Sequence, residues 1–387
     1  MTDHSARITA EADDSSLNRA ATLLVSIAVA IVACSDMSTS TLLPPSAGVW
    51  LEVACAFGLG SIFNVVISMI VWREWPRSAV GAACVASLCA PYLLPFRYGI
   101  AASAVALLNF IGVWKASDVL AGTAPAALSR SGVAFAVHFA SPVEYVVEQS
   151  VASASSGLWR TELSSLLQVY AALALTASAH AALSPPPANP APANPAPAAL
   201  REAVRLYCEV WTIYLFLRLF TGAFGTMLAC GGFVPRTMWR APLLASTSAA
   251  DFWGRRWNLL IHGLFRRTVF RPLTERGVPG WGAGAIAFAL SGAFHEYAFA
   301  LQQPAQRASF GRCLAFFLAQ APAVSAEKRL RRLLGVPPPF DRSSAACTLA
   351  WTLLLMPFAP LFLHPLKTSG TFATILELVP RLAVAVP

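Results

Sequence analysis

Charged residues are scarce in this chain. Of its 387 residues only 12% are charged and 56% are hydrophobic, whereas a typical soluble protein has about 25% charged residues. The mean hydropathy of +0.59 leaves too little polar surface to enclose soluble domains of this size. This scarcity excludes most soluble folds and indicates a protein that lies in a lipid bilayer.

Metal-binding and secretory patterns are also lacking. The eight cysteines contain no CxxC pair and no Cys/His spacing suited to zinc, and we interpret them as small packing residues in apolar runs. We expect no metal and no redox cofactor. The N-terminus is acidic and lacks the basic region of a cleaved signal peptide, so the first apolar run is expected to remain in the protein.

Long apolar runs are abundant instead. A helix that crosses a hydrocarbon core about 30 Å thick needs about 17 to 25 apolar residues, and the bilayer requires every backbone polar group to be bonded internally. The sequence therefore predicts an all-α polytopic integral membrane protein with about eight to nine transmembrane helices. The predicted spans are 20–35, 53–72, 78–95, 98–114, 163–183, 206–230, 281–301, 310–326 and 346–366.

Two stretches interrupt the pattern of spans. Residues 184–199, SPPPANPAPANPAPAA, predict an extended, solvated linker, and residues 235–280 are rich in Arg and Trp. The predicted organisation is an N-terminal tail (1–19), a first group of helices (20–183), the linker, and a C-terminal core (200–387). No internal repeat of a transporter type is evident.

The distribution of positive charge gives an orientation. When alternate loops are assigned to opposite sides, 20 of the 28 Lys and Arg residues lie on one side and seven on the other, with Arg218 inside a span. By the positive-inside rule the richer side is cytoplasmic, together with the N-terminus. The net charge of +9 is thus explained by topology, and we expect no nucleic-acid partner.

The densest polar signal is the segment 251–272, DFWGRRWNLLIHGLFRRTVFRP. On a continuous helix it would place a polar stripe opposite an apolar face. The stripe comprises Arg255, Asn258, His262 and Arg266, and the face comprises Trp253, Trp257, Leu260, Ile261 and Leu264. Two interpretations stay open: an interfacial anchor on lipid phosphates, or a surface that binds a nucleotide phosphate.

The second signal is LSGAFHEY at 290–297, inside a predicted span. Ionisable residues at membrane depth are costly and are functional candidates by default. Ser291 and Gly292 precede His295 by four and three residues and are expected to clear space beside its imidazole. Glu296 points about 100° away around the helix, which favours a hydrogen bond to another helix.

Together these signals resemble the plant and algal wax synthase family within the membrane-bound O-acyltransferase superfamily. In that family an FWGRRWN element is followed by SGxxHE in a transmembrane helix. Here Phe252–Asn258 precede Ser291–Glu296, and the resemblance is specific over about residues 236–300 and weaker to about 366. It implies an O-acyltransferase fold with a buried reaction chamber.

The resemblance implies transfer of an acyl group from acyl-CoA to a long-chain fatty alcohol, giving a wax ester. It makes His295 the general base, since an imidazole can take a hydroxyl proton near neutral pH. It makes Asn258 a catalytic residue that either donates a hydrogen bond to the thioester carbonyl or positions the substrate. Residues expected to bind acyl-CoA are Trp253, Arg255, Arg256, Trp257 and Ser291. The expected location is the endoplasmic reticulum; the sequence leaves the oligomeric state open.

This hypothesis requires a tunnel. If the span begins near Trp281, His295 lies about 21 Å along the helix axis, which is beyond the reach of a CoA head group that stays in the cytoplasm. A buried passage must therefore connect the segment 251–272 to His295. Other acceptors (a sterol, a diacylglycerol or a terpenoid), a membrane transporter and a non-catalytic lipid-binding scaffold remain as alternatives.

Overall fold

A computed structural model describes residues 40–146, 157–183, 195–300, 309–333, 335 and 355–384. The predicted span 20–35 and the N-terminal part of the predicted span 346–366 lie outside this range. Four helices occupy the first described segment: α1 (Ala47–Trp72), α2 (Arg77–Leu93), α3 (Gly99–Leu120) and α4 (Gly132–Ala140). The hydroxyl groups of Ser46 and Ser131 cap α1 and α4 by accepting hydrogen bonds from backbone N–H groups.

Two long helices, α5 (Leu158–Leu183) and α6 (Pro195–Cys230), pack along each other. Short elements follow: α7 (Pro242–Ala245), α8 (Ala249–Asp251), α9 (Leu259–Phe265) and α10 (Arg271–Glu275). The last helices are α11 (Gly280–Ala300), α12 (Arg312–Leu333), α13 (Ala359–Thr368) and α14 (Thr371–Leu376).

Two short antiparallel β-ladders connect segments that lie outside the helices in the described part of the chain. Strand β1 (Ser40–Leu43) pairs with β4 (Arg381–Val384), and β2 (Tyr145–Val146) pairs with β3 (Val234–Pro235). The second ladder joins the loop after α4 to the loop after α6. It thereby connects the N-terminal helices to the part of the chain that leads into residues 251–272, which are called the motif segment below.

Four of the described helices are long and apolar enough to cross a membrane: Ala47–Trp72, Gly99–Leu120, Leu158–Leu183 and Ala198–Cys230. They match the predicted spans 53–72, 98–114, 163–183 and 206–230, and the shorter apolar helix α2 matches 78–95. The chain is therefore a helical integral membrane protein. The predicted count of eight or nine spans is not confirmed, because α11 and α12 are helical but fall outside this set.

The proline-rich linker ends earlier than predicted. Helix α6 begins at Pro195, so residues 195–199 are helical and not extended. Proline is tolerated in the first turn of a helix, where its missing N–H has no intrahelical acceptor. The sequence pattern of the linker therefore did not mark the start of the helix; residues 184–194 lie outside the described range.

The largest apolar core joins the N-terminal helices to the motif segment. It includes Ile67 of α1, Phe139 of α4, Leu173 of α5, Leu215 of α6 and Leu264 of α9, all almost fully buried. The motif segment is thus part of the core and not a peripheral helix lying on its surface.

Polar contacts join loops that were assigned to the same side of the membrane. On the Arg-rich side, Arg267 binds Asp118 at 2.8 Å and the N–H of Ala250 donates to Glu327 at 3.1 Å. On the opposite side, Lys367 binds Glu209 at 3.1 Å. These contacts agree with the predicted alternation of loops, while the identity of the cytoplasmic side remains a prediction.

Candidate active site

The segment 251–272 is broken at Asn258 and does not form the continuous helix predicted from sequence. A π-helical turn at Phe252–Arg256 precedes the break, α9 follows it, and a second π-helical turn occupies Arg266–Phe270. Asn258 has a φ of 44°, in the left-handed region that Asn tolerates better than most residues. Its side-chain oxygen accepts a hydrogen bond from the N–H of Ile261 at 3.4 Å and caps α9.

The break changes which side chains share a face. The predicted polar stripe and the predicted apolar face are not opposed, because Trp253, Trp257 and Ile261 line the same cavity as Asn258 and His262. Since the capping bond uses the side-chain oxygen of Asn258, its NH2 group is the part of the side chain that can donate into the cavity.

Two arginines hold this segment in place through ion pairs. Arg256 Nε lies 2.6 Å from the buried Asp251 carboxylate, and Arg256 Nη1 donates to the carbonyl of Arg240 at 3.1 Å. Further along, Arg267 donates to Asp118, and to Glu144 at 3.1 Å. These arginines connect the segment to its own first turn and to α3, and such charge-assisted bonds fix geometry as well as adding stability.

His295 lies on α11 with a defined tautomer. Its Nδ1 lies 2.7 Å from the backbone carbonyl of Ser291, and a carbonyl can only accept, so Nδ1 carries the hydrogen. The other ring nitrogen, Nε2, therefore has the lone pair. This is the arrangement that a general base requires.

Aromatic rings surround the imidazole of His295. The ring of Phe317 on α12 stacks on it with 4.6 Å between centroids and an interplanar angle of 29°, and Phe362 on α13 meets it edge-on at 5.2 Å. Phe294 and Phe299 contact it from the same helix. The rings restrict its rotation and leave it half-buried at the cavity wall.

Two contacts one turn apart join α11 to α12. Glu296 accepts a hydrogen bond from the backbone N–H of Leu314 at 3.0 Å, which confirms the predicted bond to another helix. A Cβ at Gly292 would lie 2.8 Å from Leu314 Cα, so the helices meet at Gly292. The expectation that Gly292 clears space beside the imidazole was wrong, because that space is filled by α12.

A cavity of about 1000 Å³ connects the motif segment to His295. Its walls come from α3, α6, the segment 238–270, α11, α12 and α13, and they are mainly apolar, with Leu107, Val210 and Leu217 among the lining residues. The passage that the acyl-transfer hypothesis requires is therefore present, and His295 lines it.

Five of the seven residues predicted for the site line this cavity: Trp253, Trp257, Asn258, Ser291 and His295. Arg255 and Arg256 do not. Arg255 is 51% exposed and lies 3.9 Å from Asp251, and Arg256 is 16% exposed and bound to the same carboxylate. Their arrangement is that of a structural ion-pair cluster at the start of the segment.

The sequence analysis missed a residue that supports the cavity wall from behind and a group of residues that line the cavity. Gln320 is buried on α12 and accepts a hydrogen bond from the indole N–H of Trp253 at 3.1 Å, which holds that ring against Phe317. A group of cations also lines the cavity: Arg266, Lys328, Arg329 and Arg332. The sequence feature that could have revealed the last three is their spacing, which places them on one face of a helix. In the sequence analysis their charges were used only to assign the orientation in the membrane.

His262 lies beside these cations. Burial lowers the pKa of His262 from its ordinary value, and the charge of Arg266 adds to this effect. His262 is therefore expected to be neutral at physiological pH.

Part of the chain is similar to a known protein family. Residues 237–319 match the family model described as the membrane bound O-acyl transferase family. Over this segment the chain is similar to the membrane-bound O-acyltransferase family. The match contains Asn258, His295 and both tryptophans, and it ends before the cations of α12.

Three proteins that are similar to part of this chain are named as O-acyltransferases. A long-chain-alcohol O-fatty-acyltransferase from Simmondsia chinensis is 36% identical over 107 residues, 24% of this chain and 30% of the relative. From Arabidopsis thaliana, acyl-CoA--sterol O-acyltransferase 1 is 44% identical over 64 residues (15% and 18%), and probable long-chain-alcohol O-fatty-acyltransferase 9 is 32% identical over 95 residues (22% and 28%). The chain thus matches less than a third of the length of each relative.

Proposed function

We propose that the protein is an acyl-CoA-dependent O-acyltransferase that esterifies a long-chain fatty alcohol to a wax ester. The observation that carries this proposal is that His295, with its Nε2 lone pair, lines a mainly apolar cavity that Asn258 also lines. The names of the relatives from Simmondsia and Arabidopsis support the reaction class.

The mechanism follows from the chemistry of the two side chains. His295 Nε2 takes the hydroxyl proton as the alcohol oxygen attacks the thioester carbonyl carbon and forms the new C–O bond. The NH2 group of Asn258 donates to the carbonyl oxygen, where negative charge develops. The C–S bond then breaks, and the sulfur takes the proton back from Nε2, so the products are the ester and free CoA.

The lining of the cavity suits two long apolar chains. Residues from α3 and α6 form the part of the wall that carries no charge, including Leu107, Val210, Ile213 and Leu217. Apolar chains gain about 0.8 kcal/mol for each CH2 group buried. We assign this part of the cavity to the acyl chain and the alcohol.

A sterol is the second candidate acceptor. The relative named as a sterol acyltransferase is 44% identical over 64 residues, although it is matched over only 18% of its length. The residues that contact the donor and the proton do not define the shape of the acceptor. The acceptor therefore has to be determined by assay.

The test is expression in yeast that lacks its own neutral-lipid acyltransferases, with fatty alcohols and sterols supplied and the esters resolved by mass spectrometry. We expect wax esters from the wild type and none from a His295→Ala variant present at the same level in membranes. Steryl esters without wax esters would assign the second candidate, and no ester from any acceptor would contradict the proposal.

A further inference from the structure

Four cations line the cavity and are defined here as the basic rim: Arg266, Lys328, Arg329 and Arg332. The last three follow Ser325 on α12 at spacings of three, four and seven residues, and therefore share one helix face with this lining residue. All four cations are exposed. The rim thus adds exposed positive charges to the lining of a mainly apolar cavity.

The charges of the rim have no carboxylate partner in the part of the chain that the structure describes. Among the residues that the structure describes, none of the four forms an ion pair, whereas the neighbouring Arg331 binds Glu327 at 2.8 Å on another face of α12. Arg256 and Arg267 also bind carboxylates. The cations that face the cavity are therefore available to an external anion, unlike the paired arginines around them.

We propose that the basic rim binds the phosphate groups of the CoA donor. This inference rests on the proposed acyltransferase function and assigns its donor head group to residues that replace the predicted Arg255 and Arg256. Guanidinium and ammonium groups donate several hydrogen bonds to phosphate oxygens. A group of like charges that lacks carboxylate partners among the described residues favours a ligand with several phosphates over a neutral or cationic one.

The spacing along α12 fits the length of the donor. Phe317 stacks on His295, and Lys328 and Arg332 follow it by 11 and 15 residues, which is about 17 and 22 Å along the helix axis. An extended arm from the thioester sulfur to the first phosphorus has about 13 bonds and spans about 16 Å, at the reach of about 1.2 Å per bond found for extended chains. Phosphates at the rim would therefore place the thioester near the imidazole.

The test compares two variants that each remove two positive charges. Lys328→Gln/Arg329→Gln removes rim charges, and the control Arg73→Gln/Arg77→Gln removes exposed charges on the same predicted side of the membrane and away from the cavity. In vesicles of phosphatidylcholine, we expect the rim variant to raise KM for acyl-CoA about tenfold or more, with kcat changed less than about threefold. The control should leave both values unchanged.

A donor without phosphates provides the internal comparison. With acyl-pantetheine, the rim variant and the wild type should have the same KM, and adenosine 3′,5′-bisphosphate should inhibit the wild type about tenfold more strongly than the variant. Equal KM values for acyl-CoA in the two proteins would overturn the proposal. So would an effect that is the same for both donors, or one that appears only when anionic lipid is added, since the rim would then bind lipid phosphate.

A measurement of CoA binding, which does not require turnover, tests this proposal independently of the proposed function. Trp253, Trp257 and Trp281 line the cavity, so CoA binding can be followed by tryptophan fluorescence in the purified protein. If the wild type makes no ester but binds CoA, and the rim variant binds it about tenfold more weakly, the rim assignment stands while the proposed reaction fails. Equal CoA affinity in both proteins would overturn the rim assignment even if esters form.

Discussion

The imidazole of His295 and the ring of Phe317 lie stacked, 4.6 Å apart between centroids. This relationship joins two helices, because His295 lies on α11 and Phe317 on α12. With Nδ1 held by the Ser291 carbonyl, the ring is fixed both in its plane and on one face. The position of Nε2 therefore depends on how closely α11 and α12 pack.

Replacement of His295 tests its role as the base. His295→Ala should reduce turnover about 10²- to 10⁴-fold, which is the usual contribution of a general base, with little change in the protein level in membranes. His364→Ala is the matched control, because His364 bonds Ser309 and does not line the cavity. Esterification assays on purified protein check this, and normal turnover in His295→Ala would remove the residue from the mechanism.

Substitutions at Asn258 can separate the role of its side-chain oxygen, which caps α9, from the role of its NH2 group. Asn258→Asp keeps an oxygen for the N–H of Ile261 but loses the donor, so we expect a near-normal Tm and a fall in turnover of about 10²- to 10³-fold. Asn258→Gly tolerates the left-handed backbone but loses both groups, so Tm and turnover should both fall. Near-normal turnover in both variants would limit Asn258 to a structural role.

The close approach of α11 and α12 at Gly292 predicts sensitivity to one methyl group. In Gly292→Ala the new Cβ would lie 2.8 Å from a backbone atom of Leu314, so the helices must separate, at a cost of about 1–3 kcal/mol. The shift displaces Phe317 from His295, and we expect a lower Tm and lower kcat. Gly282→Ala, on the same helix with ordinary contacts of 3.4 Å or more, should change neither, and equal behaviour of the two variants would contradict this account.

The residues that line the cavity show which features of the site could be predicted from the sequence and which could not. His295, Asn258 and the two tryptophans were predicted because their residue types and spacing resemble a known motif. The break at Asn258 was not, because Asn is only slightly less favourable than most residues inside a helix, and its left-handed conformation depends on the packing around it.

The sequence also did not predict which arginines form ion pairs and which line the cavity. The sequence does not show whether the charge of an arginine is paired with a carboxylate in the folded protein. Arg256 is bound by Asp251, whereas Arg329 lines the cavity, and only the packing of α12 against the motif segment distinguishes them. Long apolar spans were easier to predict, since their composition alone specifies burial in lipid.

Acidification tests the environment of His262. The pKa of His262 in the folded protein is lowered from 6.5, first by burial and then by Arg266. Below about pH 6.5 the unfolded chain therefore binds a proton that the folded protein does not, so this residue makes stability fall as pH falls toward the folded pKa, and the loss levels off below it. The expected result is that Tm decreases between pH 7 and pH 5 by less in His262→Gln than in the wild type, while both proteins have similar values above pH 7.5. Thermal unfolding in detergent at each pH measures this, and because other titrating groups are common to both proteins, identical pH profiles would show that His262 is as accessible to protons in the folded state as in the unfolded chain.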